Sequence, residues 1–137
     1  MKISGSCLCG AVSFRVDNRF KNMYACFCQQ CRKISGSSFA SNLFIDANYL
    51  EWLSGENKLE KFTVPGRGFN KAFCKKCGTG MPFKTSDAKQ YLVPAGCLDQ
   101  DPEVEKIEQI FYKEKYSLED ARLQAPTYDK FPHKEVK

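Results

Sequence analysis

Eight cysteines in 137 residues constrain this chain more than any other feature, because seven of them fall in tight groups. Cys7 and Cys9 form C-x-C, and Cys26, Cys28 and Cys31 form C-x-C-x-x-C. Cys74 and Cys77 form C-x-x-C, while Cys97 stands alone. The opening Met1-Lys2-Ile3-Ser4-Gly5-Ser6 carries one Lys and no apolar core, so no secretory leader is expected and the cytoplasm is the expected location. In that reducing compartment, closely spaced cysteines serve as metal ligands or catalytic thiols more often than as disulfides.

Four thiolates close a tetrahedral zinc site, with bonds of about 2.3 Å and sulfurs about 3.8 Å apart. The two pairs together supply four. The trio with either pair would supply five, one more than zinc takes. Cys7, Cys9, Cys74 and Cys77 are therefore assigned to one closed site that ties the N-terminus to the middle of the chain. Cys26, Cys28 and Cys31 are left to hold a second metal with an open fourth position, as a catalytic or ligand-exchanging site requires. The expected cofactor is two zinc ions per chain, one structural and one catalytic or exchangeable. The other reading of the trio is no metal, or a second structural site closed by water or Cys97. Cys97 itself reads as a small buried apolar residue, and His133 in the tail is not expected to act as a ligand or base.

Residues i and i+2 of a flat strand start about 6.6 Å apart, so a C-x-C pair must bend to chelate. Gly5 and Gly10 flank the first pair and are read as the source of that bend. At the last pair, Gly78 lets the Cys74-Lys75-Lys76-Cys77 turn close, with backbone N–H groups facing the thiolates. The Lys pair reads as a solvated turn.

The formal net charge of +5 counts every cysteine as neutral. Seven thiolates around two Zn²⁺ would lower it by three, to an unremarkable +2. The sequence also lacks a basic tail or an aromatic-and-basic stripe, so nucleic acid is not an expected partner. No segment approaches the roughly 20 apolar residues of a membrane span.

The rest reads as one β-rich domain over residues 1–125, followed by a polar tail over 126–137. Val12, Phe14 and Val16 alternate with Ser13 and Arg15, the period of a half-buried strand. Phe39 to Ile45 repeats the pattern, although Phe44 breaks its polar face. Further strands are expected at Tyr49–Leu53, Leu59–Val64, Gly68–Phe73 and Gln90–Pro94, separated by Ser54-Gly55, Pro65-Gly66 and Gly78-Thr79-Gly80. After Asp101-Pro102 both helix and strand are compatible with the sequence, and a strand over Ile107–Lys113 is preferred. Ser117-Leu118-Glu119-Asp120 resembles a capping box opening one short helical turn.

Three motifs and a short fourth segment carry a family resemblance. Gly5-Ser6-Cys7-Leu8-Cys9-Gly10-Ala11-Val12-Ser13-Phe14 is similar to the opening of the glutathione-dependent formaldehyde-activating enzyme family, which includes centromere protein V. Cys26-Phe27-Cys28-Gln29-Gln30-Cys31-Arg32-Lys33-Ile34-Ser35-Gly36-Ser37 resembles its second motif, and Phe73-Cys74-Lys75-Lys76-Cys77-Gly78-Thr79 its third. Gly96-Cys97-Leu98-Asp99 resembles a short segment that often follows. The resemblance covers roughly residues 4 to 115.

It implies a mainly β, antiparallel β-tent zinc-binding fold with little helix, and the zinc partition reached above by counting. It also implies a carbon–sulfur lyase. The family's type enzyme joins formaldehyde and glutathione into S-(hydroxymethyl)glutathione, with a catalytic zinc at the trio that is displaced when glutathione binds. Carried onto this chain, Cys26, Cys28 and Cys31 become the catalytic ligands, and the partner becomes a small-molecule thiol such as glutathione. Arg32 and Lys33 either hold the carboxylates of that thiol, Arg being the better bidentate partner, or form a solvated charged turn. Ser35 and Gly36, with Ser37, are read as a source of backbone N–H donors.

Two positions depart from the pattern: Phe27 and Gln109 stand where many members carry His. Neither is a thiolate ligand, but both bear on which adduct the site accepts. Two other functions fit the same cysteines. One is a non-enzymatic zinc-stabilised binding module, and the other is a redox or metal-buffering protein using the trio as labile thiols.

Overall fold

A computed structural model of the chain describes residues 1–132, so His133 lies outside the described residues. Strands are numbered in chain order. Val12, Phe14 and Val16 are fully buried, and the last two belong to β2 (Ser13–Asp17). β2 pairs antiparallel with β1 (Lys2–Ser6) and with β5 (Leu50–Ser54) in a three-stranded sheet. A five-stranded sheet has the order β11 (Val104–Ile110), β3 (Phe20–Cys26), β4 (Ala40–Asp46), β10 (Gln90–Pro94), β9 (Phe83–Lys84). β6 (Leu59–Val64), β7 (Phe69–Cys74) and β8 (Gly80–Met81) make a third sheet. Ile3, Phe14, Val16, Phe20, Leu43 and Val93 form the main core together with Cys7, Cys74 and Cys97. Two cysteines of the first group, Cys7 and Cys74, are therefore part of the core wall.

The fold is mainly β, as expected, and its strand pairs are antiparallel except β3 with β11, which run parallel. Four strands are unannounced in the sequence: β1, β3 and the two-residue β8 and β9. β1 holds one core residue, Ile3, and is fixed largely by its ladder to β2. β3 lies between β4 and β11 and is covered on both faces, Met23 by the main core and Tyr24 by Phe44, so its burial shows no clean alternation. Phe44, which spoils the polar face of β4, packs edge-on against Tyr24 at 5.7 Å and joins a second cluster with Ala72, Phe83 and Leu92. Both faces of β4 are thus covered, which is why its sequence does not alternate cleanly. The strand expected at Ile107–Lys113 begins earlier, at Val104, and stops at Ile110, because Phe111 turns the chain through a left-handed conformation at φ 52°.

Two short α-helices occur among the described residues. α1 (Gln29–Ser35) is unannounced: its cap is Cys28, whose sulfur accepts from the Cys31 N–H at 3.3 Å, and cysteine is not among the usual capping residues. Gly36 ends it in the left-handed conformation at φ 65°. α2 (Leu118–Leu123) matches the expected helical turn, but the capping box does not form. Ser117 makes no side-chain cap, Asp120 pairs with Lys115 at 3.0 Å, and Glu119 is buried instead. Residues 126–132 are exposed and carry no regular element, and no helix among the described residues is long and apolar enough to cross a membrane.

Candidate metal centre

The first cysteine group is assembled by two loops. Cys7 and Cys9 follow β1 in a turn that Gly10 closes at φ 79°, while Cys74 ends β7 and Cys77 lies in a turn closed by Gly78 at φ 77°. The four sulfurs all lie within 4.8 Å of one another. Cys7 Sγ is 3.6 Å from Cys9 Sγ, and Cys9 Sγ is 3.8 Å from Cys74 Sγ, the spacing a tetrahedral tetrathiolate requires. The surroundings suit anionic sulfur. The Val12 N–H donates to Cys7 Sγ at 3.2 Å, and the Thr79 hydroxyl stands 3.2 Å from Cys77 Sγ. That hydroxyl, followed by the backbone N–H groups of Thr79 and Cys9, holds the Cys77 thiol down at about 5. Thr79 also accepts from the Leu8 N–H at 3.0 Å, locking the two loops together.

Gly5 has a different part from the one expected of it. It lies within β1, and a Cβ built there would sit 2.1 Å from a carbon of the buried Phe14 ring. Close approach, rather than the bend of the C-x-C pair, requires glycine at this position. The Gly96–Asp99 segment anchors the same strand: Ser4 Oγ and Ser6 Oγ donate to the Asp99 carboxylate at 2.9 and 2.7 Å.

The trio is built where β3 gives way to α1. Cys26 ends the strand, Cys28 caps the helix, and Cys31 lies in its first turn. Their three sulfurs lie within 4.8 Å of one another. Cys26 and Cys31 are buried, Cys28 is partly exposed, and Ala40 and Ile110 pack against them. Burial pushes the Cys31 thiol up, and the neighbouring sulfurs of Cys26 and Cys28 push it further. Three sulfurs ionised this close together would need a cation, and a soft thiophilic metal would supply one. Among the described residues, no fourth Cys, His, Asp or Glu donor joins them.

Two clefts meet the trio. Cys31 lines one of about 360 Å³, walled by Phe39, Phe69, Met81, Phe83 and Leu92. Cys28 lines another of about 460 Å³, bordered by Gln29, Gln30, Lys33, Arg67 and Glu114. Arg67 is absent from the sequence-based expectations. It sits on the tip between β6 and β7, and its Nη1 donates to Gln30 Oε1 at 3.4 Å. Pro65-Gly66 announces the turn, but nothing in the sequence says that its tip reaches α1.

The residues expected to bind the thiol are distributed unevenly. Lys33 is exposed and borders the cleft at Cys28. Arg32 instead donates from Nε to the Phe27 carbonyl at 3.1 Å and lies over the Tyr116 ring at 4.0 Å. Ser35 Oγ donates to the Cys31 carbonyl at 2.7 Å, and the Gly36 and Ser37 N–H groups both bond to the Arg32 carbonyl. Phe27 is buried between Phe39 and Tyr112, each ring 5.2 Å away, and Gln109 is exposed on the edge strand β11. Cys97 is 4% exposed, joins neither sulfur group, and has its thiol pushed up to about 12 by burial.

Comparison with known proteins agrees with this arrangement. A Halomonas elongata protein described as a candidate glutathione-dependent formaldehyde-activating enzyme is 34% identical over 89 residues, a stretch covering 59% of this chain and 55% of that protein. The chain thus spans about half the length of this relative. A crystal structure of a Rhodobacter sphaeroides protein shares the fold with a TM-score of 0.60 at 23% identity, covering 77% of this chain and all of the other. The family model for the glutathione-dependent formaldehyde-activating enzyme matches residues 2–114, which include all seven clustered cysteines. The chain belongs to the glutathione-dependent formaldehyde-activating enzyme family.

Proposed function

We propose that this protein is a zinc-dependent carbon–sulfur lyase acting on the adduct of glutathione, or a closely related thiol, with formaldehyde or another aldehyde. In this reading Cys7, Cys9, Cys74 and Cys77 hold a structural zinc, and Cys26, Cys28 and Cys31 hold an exchangeable one. The observation that carries it is the three-sulfur group, joined by no fourth donor among the described residues, with Cys31 lining one cleft and Cys28 another.

A zinc ion bound by the trio would offer a position to an incoming thiol and favour its thiolate at neutral pH. Three thiolates leave such a site with a formal charge of −1, which suits thiol exchange better than activation of water. In the synthetic direction the thiol sulfur bonds to the carbonyl carbon, and the thiol proton ends on the carbonyl oxygen. The reverse breaks that C–S bond and returns aldehyde and thiol.

The chain's own residues bind and orient the thiol. Lys33 and Arg67 border the cleft at Cys28 and present two cationic side chains for the carboxylates of glutathione. Glu114, in the same cleft, offers a carboxylate for its ammonium group. Arg32 acts through position: its bond to the Phe27 carbonyl fixes the segment between Cys26 and Cys28.

The reading is tested by following S-(hydroxymethyl)glutathione formation from glutathione and formaldehyde by NMR exchange rates. The zinc-loaded protein is expected to accelerate exchange, and Cys31→Ser to abolish the acceleration while leaving the fold intact. Exchange at the uncatalysed rate with fully loaded protein would overturn it.

A further inference from the structure

The cleft at Cys31 is mismatched to a one-carbon aldehyde. At about 360 Å³ it falls in the range of small-molecule sites, roughly 300–1,000 Å³, and its walls are predominantly apolar, with Ser35, Ser37, Ser41, Asn42, Lys71 and Thr79 interspersed among the aromatic and aliphatic side chains. Formaldehyde is little larger than a water molecule, whose share of liquid volume is about 30 Å³, and would leave most of the cleft unfilled. Glutathione does not match it either, since Lys71 is the one charged side chain lining it, whereas Lys33, Arg67 and Glu114 border the cleft at Cys28.

The walls are fixed before any ligand arrives. Phe69 packs edge-on against Phe83 at 5.3 Å, and both join Phe44, Ala72 and Leu92 in one cluster. Phe83 and Leu92 are buried, while Phe39 and Phe69 keep part of their surface open. Lys71 marks a polar margin and donates its ammonium to the Ile34 carbonyl of α1. The trio therefore has a charged cleft against Cys28 and an apolar one against Cys31.

We infer that this chain acts on thiol adducts of aldehydes bearing an apolar substituent, alkyl or aryl, which occupies the cleft walled by Phe39, Phe69, Phe83 and Leu92. The inference rests on the function proposed above and names the substrate class of the same site. The reacting atoms are unchanged: the thiol sulfur bonds to the aldehyde carbon, the proton passes to its oxygen, and the substituent takes no part. The substituent contributes binding through burial of its apolar surface against preformed walls.

The test is calorimetric titration of the zinc-loaded protein with two stable thioethers, S-methylglutathione and S-hexylglutathione, which share every charged group. S-hexylglutathione is expected to bind at least about tenfold more tightly, given what each added methylene contributes in an apolar pocket. In Phe69→Ala, checked for its thermal melt, that advantage is expected to shrink severalfold while S-methylglutathione affinity is unchanged. Phe69→Leu, which keeps an apolar wall, is expected to retain most of the advantage.

Equal affinities of the two thioethers in the wild-type protein would overturn the inference. So would an advantage that Phe69→Ala leaves untouched. Absence of binding by both would overturn it as well, and free glutathione then separates the two claims. If glutathione still changes the bound zinc, the lyase reading stands alone; if it does not, both fall.

Discussion

Cys9 and Cys74 are 65 positions apart in the chain, and their sulfurs lie 3.8 Å from each other. One sulfur comes from the turn after β1 and the other from the end of β7, so the contact fastens the first sheet to the third. Cys74 is fully buried in the main core, where a serine hydroxyl would lose both a metal ligand and its apolar surroundings. Because a structural metal contributes its binding energy to folding, Cys74→Ser is expected to lose on the order of 5 kcal/mol or more. Cys31→Ser, which leaves the closed site intact, is expected to lose much less, about the cost of one buried hydroxyl. Thermal melts with and without a strong chelator check this: chelation should lower the wild-type midpoint sharply and leave Cys74→Ser nearly unaffected.

Gly5 and Phe14 give a second prediction. Gly5→Ala puts a methyl group inside the space of a fully buried ring, a form of overpacking that costs about 1–3 kcal/mol. Denaturant unfolding should show that loss for Gly5→Ala, and the double variant Gly5→Ala/Phe14→Leu should recover part of it because the two sites are in contact. Recovery would separate close approach from a need for backbone freedom.

Arg67 and Arg32 are expected to behave differently despite their shared charge. Arg67→Ala removes a cation from the cleft at Cys28 and is expected to weaken glutathione binding about tenfold, the worth of one charge-assisted hydrogen bond. Arg32→Lys loses the bond to the Phe27 carbonyl and the flat stacking on Tyr116, so it is expected to lower the melting midpoint more than the affinity. Titration calorimetry and thermal melts of the two variants side by side check both halves.

The buried Glu119 ties the C-terminal segment to the loop after α1. Its carboxylate accepts from Ser38 Oγ at 2.7 Å and from the Arg122 guanidinium at 3.1 Å. Arg122, followed by Ser38, holds the Glu119 carboxyl below its ordinary range. A carboxyl depressed in the folded state stabilises above its unfolded pKa, and that contribution disappears as the pH falls through the folded value. The wild-type melting midpoint should therefore fall more steeply than that of Glu119→Gln from about pH 4.5 downward. Comparing the two isolates this effect from the protonation of the clustered cysteine thiolates, which both proteins share.

The partition of the cysteines was legible because ligand number is a counting rule, and the sulfur groups reproduce it. Strands with a solvent face, such as β2, were legible for the same kind of reason: one side must be apolar. β3 was not, because both its faces are covered: Met23 packs against the main core while the adjacent Tyr24 packs against Phe44. α1 was hidden because its cap is a cysteine already assigned to metal chemistry. Arg32 looked like the better anion-binding residue from its place beside Cys31, yet helix geometry turns it toward Phe27 and Tyr116. Arg67 meets Gln30 across 37 positions of sequence, a relationship that only the packing of the β6–β7 hairpin creates.

The most direct measurement is zinc per chain on freshly purified protein, by elemental analysis after desalting, with and without millimolar glutathione. One closed site and one exchangeable site predict close to two zinc ions per chain, falling to one in glutathione, with Cys31→Ser holding one under both conditions. Two zinc ions unchanged by glutathione would make the trio a second structural site, and a steady single zinc would make it empty. Either result would contradict the account.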